Sequence, residues 1–347
     1  MTDKLSDEQS KQIARSELQE ARRKKQTSDL KSVNTALIKE VEHLERKLDL
    51  VLDIRNAPAE PYVLKYPKKK GKHPKTVTVS LASDLHIEER VDLQKTNGLN
   101  EHSLEISEEK MYKYWRNVVS LVKMTQMKTD VVSHVLWLGG DLFSGWIHED
   151  LVPGSECSPT EAIVLLRKWI TSGIQYLESS LDVPRIIVPC NFGNHGRTTM
   201  RPRIATAKEC SYEWMLYQML QEDFSKNKRV EFIVPEGEFT YLTLCPGYRI
   251  RFTHGDSVRY GGGIGGLSIP LNKRIAKWDE GIYANLTVLG HFHQAADFGR
   301  AIVNGSLIGY SEYALHIAAS PEPAQQMFFA VDLERRQKTI VCPIHVT

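Results

Sequence analysis

The stretch Thr76-Val77-Thr78-Val79-Ser80-Leu81-Ala82-Ser83-Asp84-Leu85-His86 decides how the rest of this chain is read. Alternating β-branched residues predict a strand buried in a sheet. Small residues then predict a turn, and an acid and an imidazole follow it two positions apart. Four later runs repeat the design. Val131 to Leu138 ends in Gly139-Gly140-Asp141, and Arg185 to Pro189 leads into Gly193-Asn194-His195. Arg249 to Thr253 ends in His254-Gly255-Asp256, and Asn285 to Leu289 ends in Gly290-His291-Phe292-His293. In open α/β sheets, ligands gather outside the carboxyl ends of the strands. Five such ends carrying Asp, Asn and His predict one site assembled from distant sequence.

Between the strands, Ile106 to Met127, Glu161 to Leu181 and Ala205 to Phe224 space their apolar and aromatic residues as helices do. Trp115, Trp169 and Trp214 fall in these stripes and read as core. Strand–helix alternation predicts an α/β domain over residues 76–347. Upstream, residues 1–56 read as a charged helix. Its first half is dense in Lys, Arg, Glu and Gln, whereas Leu30, Asn34, Leu37, Val41, Leu44, Leu48 and Val51 alternate in steps of four and three. That is the spacing of a coiled-coil seam, although Val33, Ile38 and Leu52 widen it. Two readings stand: a homo-oligomer formed through residues 30–52, or an amphipathic helix lying on its own catalytic domain. Residues 57–75, with five lysines between Pro67 and Lys75, read as a solvated linker or as a holder of phosphate backbones.

Composition narrows the classes. In 347 residues, 41% are hydrophobic and 25% charged, ordinary for a chain with a real core. A net charge of +2 announces no nucleic-acid partner, so any basic footprint must be local. The five scattered cysteines, an odd number without zinc spacing, predict reduced thiols. The polar start and the lack of a long apolar run predict a cytoplasmic protein with no membrane association.

Hard or borderline divalent ions take carboxylate, imidazole and amide oxygen donors, and two neighbouring ions need a shared one. Asp141 is the natural bridge. Asp84, His86 and His293 then complete one ion's shell, and Asn194, His254 and His291 the other's. His43, His102, His134, His148, His316 and His345 read as ordinary core or surface groups.

In order, Asp-x-His, Gly-Asp, Gly-Asn-His, His-Gly-Asp and Gly-His-x-His resemble the motifs of the calcineurin-like metallophosphoesterase superfamily, across residues 84–293. Asn97-Gly98-Leu99-Asn100-Glu101 and Gly193-Asn194-His195-Gly196-Arg197 resemble a phage or prophage branch, related to DNA-repair exonuclease types; that branch implies a host cytoplasm. The resemblance implies two mixed β-sheets in a sandwich flanked by helices, and two divalent metal ions, Mn²⁺ with Fe or Zn²⁺ as alternatives. It also implies in-line attack on phosphorus by a metal-activated hydroxide, with His195 protonating the leaving oxygen. Arg197 could fork onto a phosphate oxygen or form a surface salt bridge. Where many relatives carry a carboxylate to raise the acid histidine's pKa, this chain has Ser144 and Gly196; either another residue serves, with Asp256 as a candidate, or the leaving group needs little protonation.

Arg259-Tyr260-Gly261-Gly262-Gly263-Ile264-Gly265-Gly266 reads as a loop that closes over substrate, or as a connector. Arg197, Arg201, Arg203 and Lys208, with Lys273, Arg274 and Lys277, favour an extended polyanion. The leading expectation is a phosphodiesterase acting on DNA. The alternatives are a hydrolase of small or cyclic nucleotides or phosphomonoesters, and a non-catalytic metal-binding scaffold.

Overall fold

The opening stretch forms β1 (Lys75–Ala82), a central strand of the first of two sheets. The structure is a computed structural model that describes residues 7–56, 73–147, 151–259 and 266–347. Around β1, in chain order, lie α1 (Asp7–Asn56), α2 (Leu104–Gln126), β2 (Asp130–Leu138), the single turn α3 (Leu151–Gly154), α4 (Pro159–Ser180) and β3 (Ile186–Pro189). Then come α5 (Tyr212–Asp223), β4 (Val230–Ile233), β5 (Thr240–Cys245), β6 (Tyr248–Phe252), α6 (Ser268–Asp279) and β7 (Leu286–Leu289). The chain ends with β8 (Ala296–Asp297), β9 (Ala301–Val303), α7 (Glu312–His316), β10 (Gln325–Asp332) and β11 (Gln337–His345).

Residues 1–60 and 61–347 form two compact units. In the first, α1 is one helix of 50 residues, about 75 Å long at 1.5 Å per residue. Its charged half carries pairs such as Glu20–Lys24, 2.8 Å apart, which support a solvated helix. At its described positions the apolar seam is bare: Leu30 is 69% exposed, and Leu37, Val41, Leu44 and Leu48 are exposed beside Val33 and Ile38; the side chains of Val51 and Leu52 lie outside the described residues.

The second unit is the expected sandwich of two mixed sheets flanked by helices. One sheet has the order β11-β10-β1-β2-β3-β4, with β1 to β4 parallel and β10 antiparallel to β1. The other is β5-β6-β7-β9-β8, with β6, β7 and β9 parallel. Period-two alternation sorts β1 between two cores. Val77, Val79 and Leu81 meet Leu242, Ile250, Phe252 and Val288 between the sheets. On the other face, helices α2, α4 and α5 bury Met111, Tyr114, Trp115, Leu166, Ile170 and Leu216. Leu271 and Ile275 of α6 cover the outside of the second sheet, against Leu289 and Val303. Thr78 and Ser80 face the helices, where their hydroxyls hold both ring nitrogens of buried His134, at 2.9 and 3.0 Å. Burial pushes that histidine down to about 3.

One helix is shorter than its periodicity predicts. Ala205 to Phe224 holds a 3₁₀ turn at Lys208–Cys210 and then α5, because Ser211 accepts the Trp214 N–H as an N-cap at 3.1 Å. Residues 199–207 are loop. The linker up to residue 72 and most of the glycine loop, residues 260–265, lie outside the described residues, as does His148. Among the described residues, no helix is long and apolar enough to cross a membrane.

Candidate metal centre

The carboxyl ends of β1, β2, β3, β6 and β7 meet at one end of the sandwich. Main-chain bonds lock the turns together: Asp84 N–H donates to the Gly140 carbonyl at 2.9 Å, Leu85 N–H to that of Asp141 at 2.8 Å, and Gly290 N–H to that of His254 at 2.8 Å. These turns are strained. Asp84, His86, Asp141, His291 and His293 have φ between 46° and 70°, and only three other non-glycine residues among those described share a positive φ. A left-handed backbone costs an ordinary residue about 1–2 kcal/mol, and such outliers persist where the surroundings over-determine them. Here they aim side chains inward.

The motif glycines are there for closeness. A Cβ on Gly193 would lie 2.1 Å from Asp141 Oδ1, and one on Gly290 would lie 2.3 Å from Asp84 Oδ2. Neither position admits any other residue without displacing a carboxylate.

Two groups result. Asp84, His86 and His293 form one, Asp141, His254 and His291 the other, and within each the nearest ligand atoms all lie within 4.8 Å of one another. The two histidines of Gly-His-x-His therefore point into different groups. In the second group, His254 Nδ1 donates to the Gly139 carbonyl at 2.9 Å. A carbonyl only accepts, so Nε2 turns its lone pair towards Asp141 Oδ2 at 2.9 Å and Asn194 Oδ1 at 3.1 Å. Three electron-rich atoms around one point need a cation between them. A proton fills that place when nothing else does: burial pulls His254 down, but Asp141 overrides it and holds the imidazole charged well above its usual range.

In the first group, Ser144 Oγ donates to Glu89 Oε2 at 2.6 Å and so accepts from His86 Nδ1 at 2.8 Å. His86 Nε2 is then bare and lies 3.2 Å from His293 Nε2, which is 3.5 Å from Asp84 Oδ1. Burial, with the imidazoles of His195 and His293, keeps His86 neutral far below its usual pKa. Bare ring nitrogens fixed by a hydrogen bond on the other nitrogen are what a metal-ligating histidine presents. The oxygen and imidazole donors fit a pair of divalent cations.

His195 N–H donates to Asp141 Oδ1 at 2.7 Å, and its ring Nδ1 donates to the Ser144 carbonyl at 2.9 Å. Ser144 thus orients the imidazole by its main chain rather than by a carboxylate. Asp256 lies close enough to favour charge on Arg197, His254 and His291. Arg197 is turned onto its own loop, donating to the carbonyls of Asn194, Thr199 (2.9 Å) and Met200 (3.1 Å); the guanidinium binds carbonyls there, not a surface acid.

Three carboxylates that brace the site escaped the sequence reading. Glu213 of α5 accepts the N–H groups of Leu142 at 2.7 Å and Gly193 at 2.6 Å, joining the Gly-Asp and Gly-Asn-His turns. Burial, then repulsion from Asp141, raises it to about 8. Glu88 holds the N–H groups of Ser144 and Gly145, and burial raises it to about 7. Glu89 backs His86 through Ser144. Only Glu88-Glu89, directly after His86, carried a signal, an acid pair where the chain should be buried. Of the remaining histidines, His102 and His134 are buried and hydrogen-bonded, while His43, His316 and His345 are exposed.

No protein-family model matches the sequence, and no curated protein matches it. Among solved structures, sulfate thiohydrolase SoxB of Thermus thermophilus, in complex with glycerol, aligns at 10% identity with a TM-score of 0.30. The alignment covers 80% of this chain and 57% of that enzyme, so the chain spans little more than half its length. A superposition that loose says nothing about chemistry.

Proposed function

We propose that this protein is a two-metal phosphoester hydrolase whose substrates are phosphodiesters, DNA foremost. One observation carries the reading: two Asp/His groups, on strained turns from both sheets, converge their donor atoms. The order of the motifs, which resembles that of metallophosphoesterases, supports the same assignment. Asp84, His86 and His293 would hold one cation, and Asn194, His254 and His291 the other, with Asp141 between them. Bound there, a pair of divalent cations, Mn²⁺ by preference, supplies nucleophile activation and charge neutralisation at phosphorus. The chain's own part is positional. The Ser144 carbonyl fixes His195 so that Nε2 delivers the proton to the leaving oxygen. Arg197 keeps the Gly-Asn-His turn in place. Glu213 holds the turns of Asp141 and Asn194 in register.

The test is a panel. Protein loaded with Mn²⁺, Fe²⁺ or Zn²⁺ is offered labelled single- and double-stranded DNA, cyclic dinucleotides and bis-p-nitrophenyl phosphate. Cleavage of DNA that is lost in Asp141→Asn supports the reading. Turnover of small esters alone restricts it to nucleotides, and silence with bound metal would sink it.

We also propose that α1 pairs with a second copy through Leu30, Leu37, Val41, Leu44 and Leu48. Burying one such side chain contributes roughly 1.5–3 kcal/mol, and all five are exposed. Sedimentation of the full chain against one lacking residues 1–60 decides: equal monomer masses exclude it.

A further inference from the structure

The loop between His195 and α5 is closed at its base and exposed at its tip. Its ends are tied together: Thr198 N–H donates to the Cys210 carbonyl at 2.8 Å, Tyr212 N–H to that of Gly196 at 2.8 Å, and Arg197 bridges Ser211. Arg197 and Thr199, which donates to the Arg201 carbonyl at 2.8 Å, shape it from within. Compact loops with joined ends are frequently functional. At the tip, Met200-Arg201-Pro202-Arg203-Ile204 lies wholly in solvent, with Met200 67% and Ile204 96% exposed. Neither Arg201 nor Arg203 has a side-chain partner among the described residues, whereas Lys208 at the base is paired with Glu236.

A second exposed group starts from the same histidine. The Ser144 carbonyl holds the His195 ring, and a Cβ on Gly145 would lie 3.0 Å from the His195 carbonyl. The next residue, Trp146, is 49% exposed between buried Gly145 and Ile147. It is the one exposed tryptophan of the six in the chain.

We infer that Trp146 and the loop of residues 198–208 form a binding surface for a single nucleic-acid strand on the side of the centre where His195 stands. Free guanidinium groups fork onto phosphates, and exposed apolar and aromatic faces stack on bases, which a duplex hides and a single strand offers. A phosphodiester strand is also the polyanion whose bonds the adjoining centre would cut. The inference deepens the proposed function and rests on it for its biological sense, but its test is binding alone.

Full-length, Mn²⁺-loaded protein is titrated into a fluorescent phosphorothioate oligonucleotide that resists cleavage, and anisotropy is read across a salt series. Each lost phosphate contact lowers the slope of log K against log salt by about 0.7 on a single strand. Arg201→Ala/Arg203→Ala is therefore expected to flatten the slope by about 1.4, and Trp146→Ala to weaken binding severalfold with the slope unchanged. Both variants should keep wild-type turnover of bis-p-nitrophenyl phosphate. An unchanged slope in the double variant overturns the inference. So does binding to anionic phospholipid vesicles in place of the oligonucleotide, since a lipid surface would also take exposed Arg, Met and Ile. Salt-dependent strand binding without hydrolysis of any ester removes the hydrolase reading and leaves this one standing; ester turnover without strand binding does the reverse.

Discussion

The two donor groups are made of similar residues but held differently. Asp141 and His254 are almost wholly buried, and His254 is fixed by a main-chain carbonyl. Burial is alike in the two, each having one half-buried histidine (His293 and His291), but in the first group His86 is fixed through a hydroxyl that leans on Glu89. A main-chain carbonyl does not rotate, whereas a hydroxyl does. The difference teaches that one centre can hold two cations unequally, with the second group the firmer and the first the more exchangeable.

The most damaging way to probe that asymmetry is Asp141→Asn, which removes the carboxylate proposed to serve both cations. It is expected to abolish turnover and reduce bound metal by elemental analysis. Single substitutions then rank the groups. His254→Ala should weaken metal binding, followed by calorimetry, more than His293→Ala does. The reverse ranking would break the comparison.

A smaller effect belongs to His195, which touches neither cation in the proposed scheme. His195→Ala should cost about 10²–10⁴-fold on an unactivated diester and little on a p-nitrophenyl ester, whose leaving group needs no proton, with metal content unchanged.

The residues behind the donors sharpen the contrast further. Loss of such a partner typically costs 10–100-fold in metal affinity. Glu89→Gln should lower affinity at the first group only, and Glu213→Gln at the second. Glu213 also predicts a pH effect on metal-free protein. Its folded pKa, about 8, lies above the ordinary 4.5, so the folded state keeps a proton that the unfolded chain has released. Stability then falls as pH rises from about 4.5 to about 8. Urea midpoints across that window should decline less steeply in Glu213→Gln than in the wild type, with Glu88, raised to about 7, sustaining the rest of the decline.

How much of this was legible in the sequence follows from what each feature depends on. The five strand ends could be read because each apolar run breaks off into small or turn-forming residues, two of them at glycine (Gly139 and Gly290), with Asp, Asn or His close behind every break. The helices α2 and α4 were equally plain, since their buried stripes are local. The hairpin β10–β11 was not, because its pairing with β1 joins residues about 250 positions apart. The predicted helix from Ala205 overran because apolar spacing says nothing of the cap at Ser211. Glu213 was invisible for a related reason. On a helix a single acid reads as surface, and only the fold shows that it faces two main-chain N–H groups.

The left-handed residues carry one more consequence. Asp84, His86, Asp141, His291 and His293 sit in conformations that their own backbones resist, on strands that are otherwise regular and buried. Withdrawing the cations should let these turns open without disturbing the sheets that carry them. Deuterium uptake after chelation would then rise at residues 84–86, 141 and 291–293 and stay slow along β1, β2 and β7, so that demetallation is recorded as a local loosening of three hinges in a frame that stays shut.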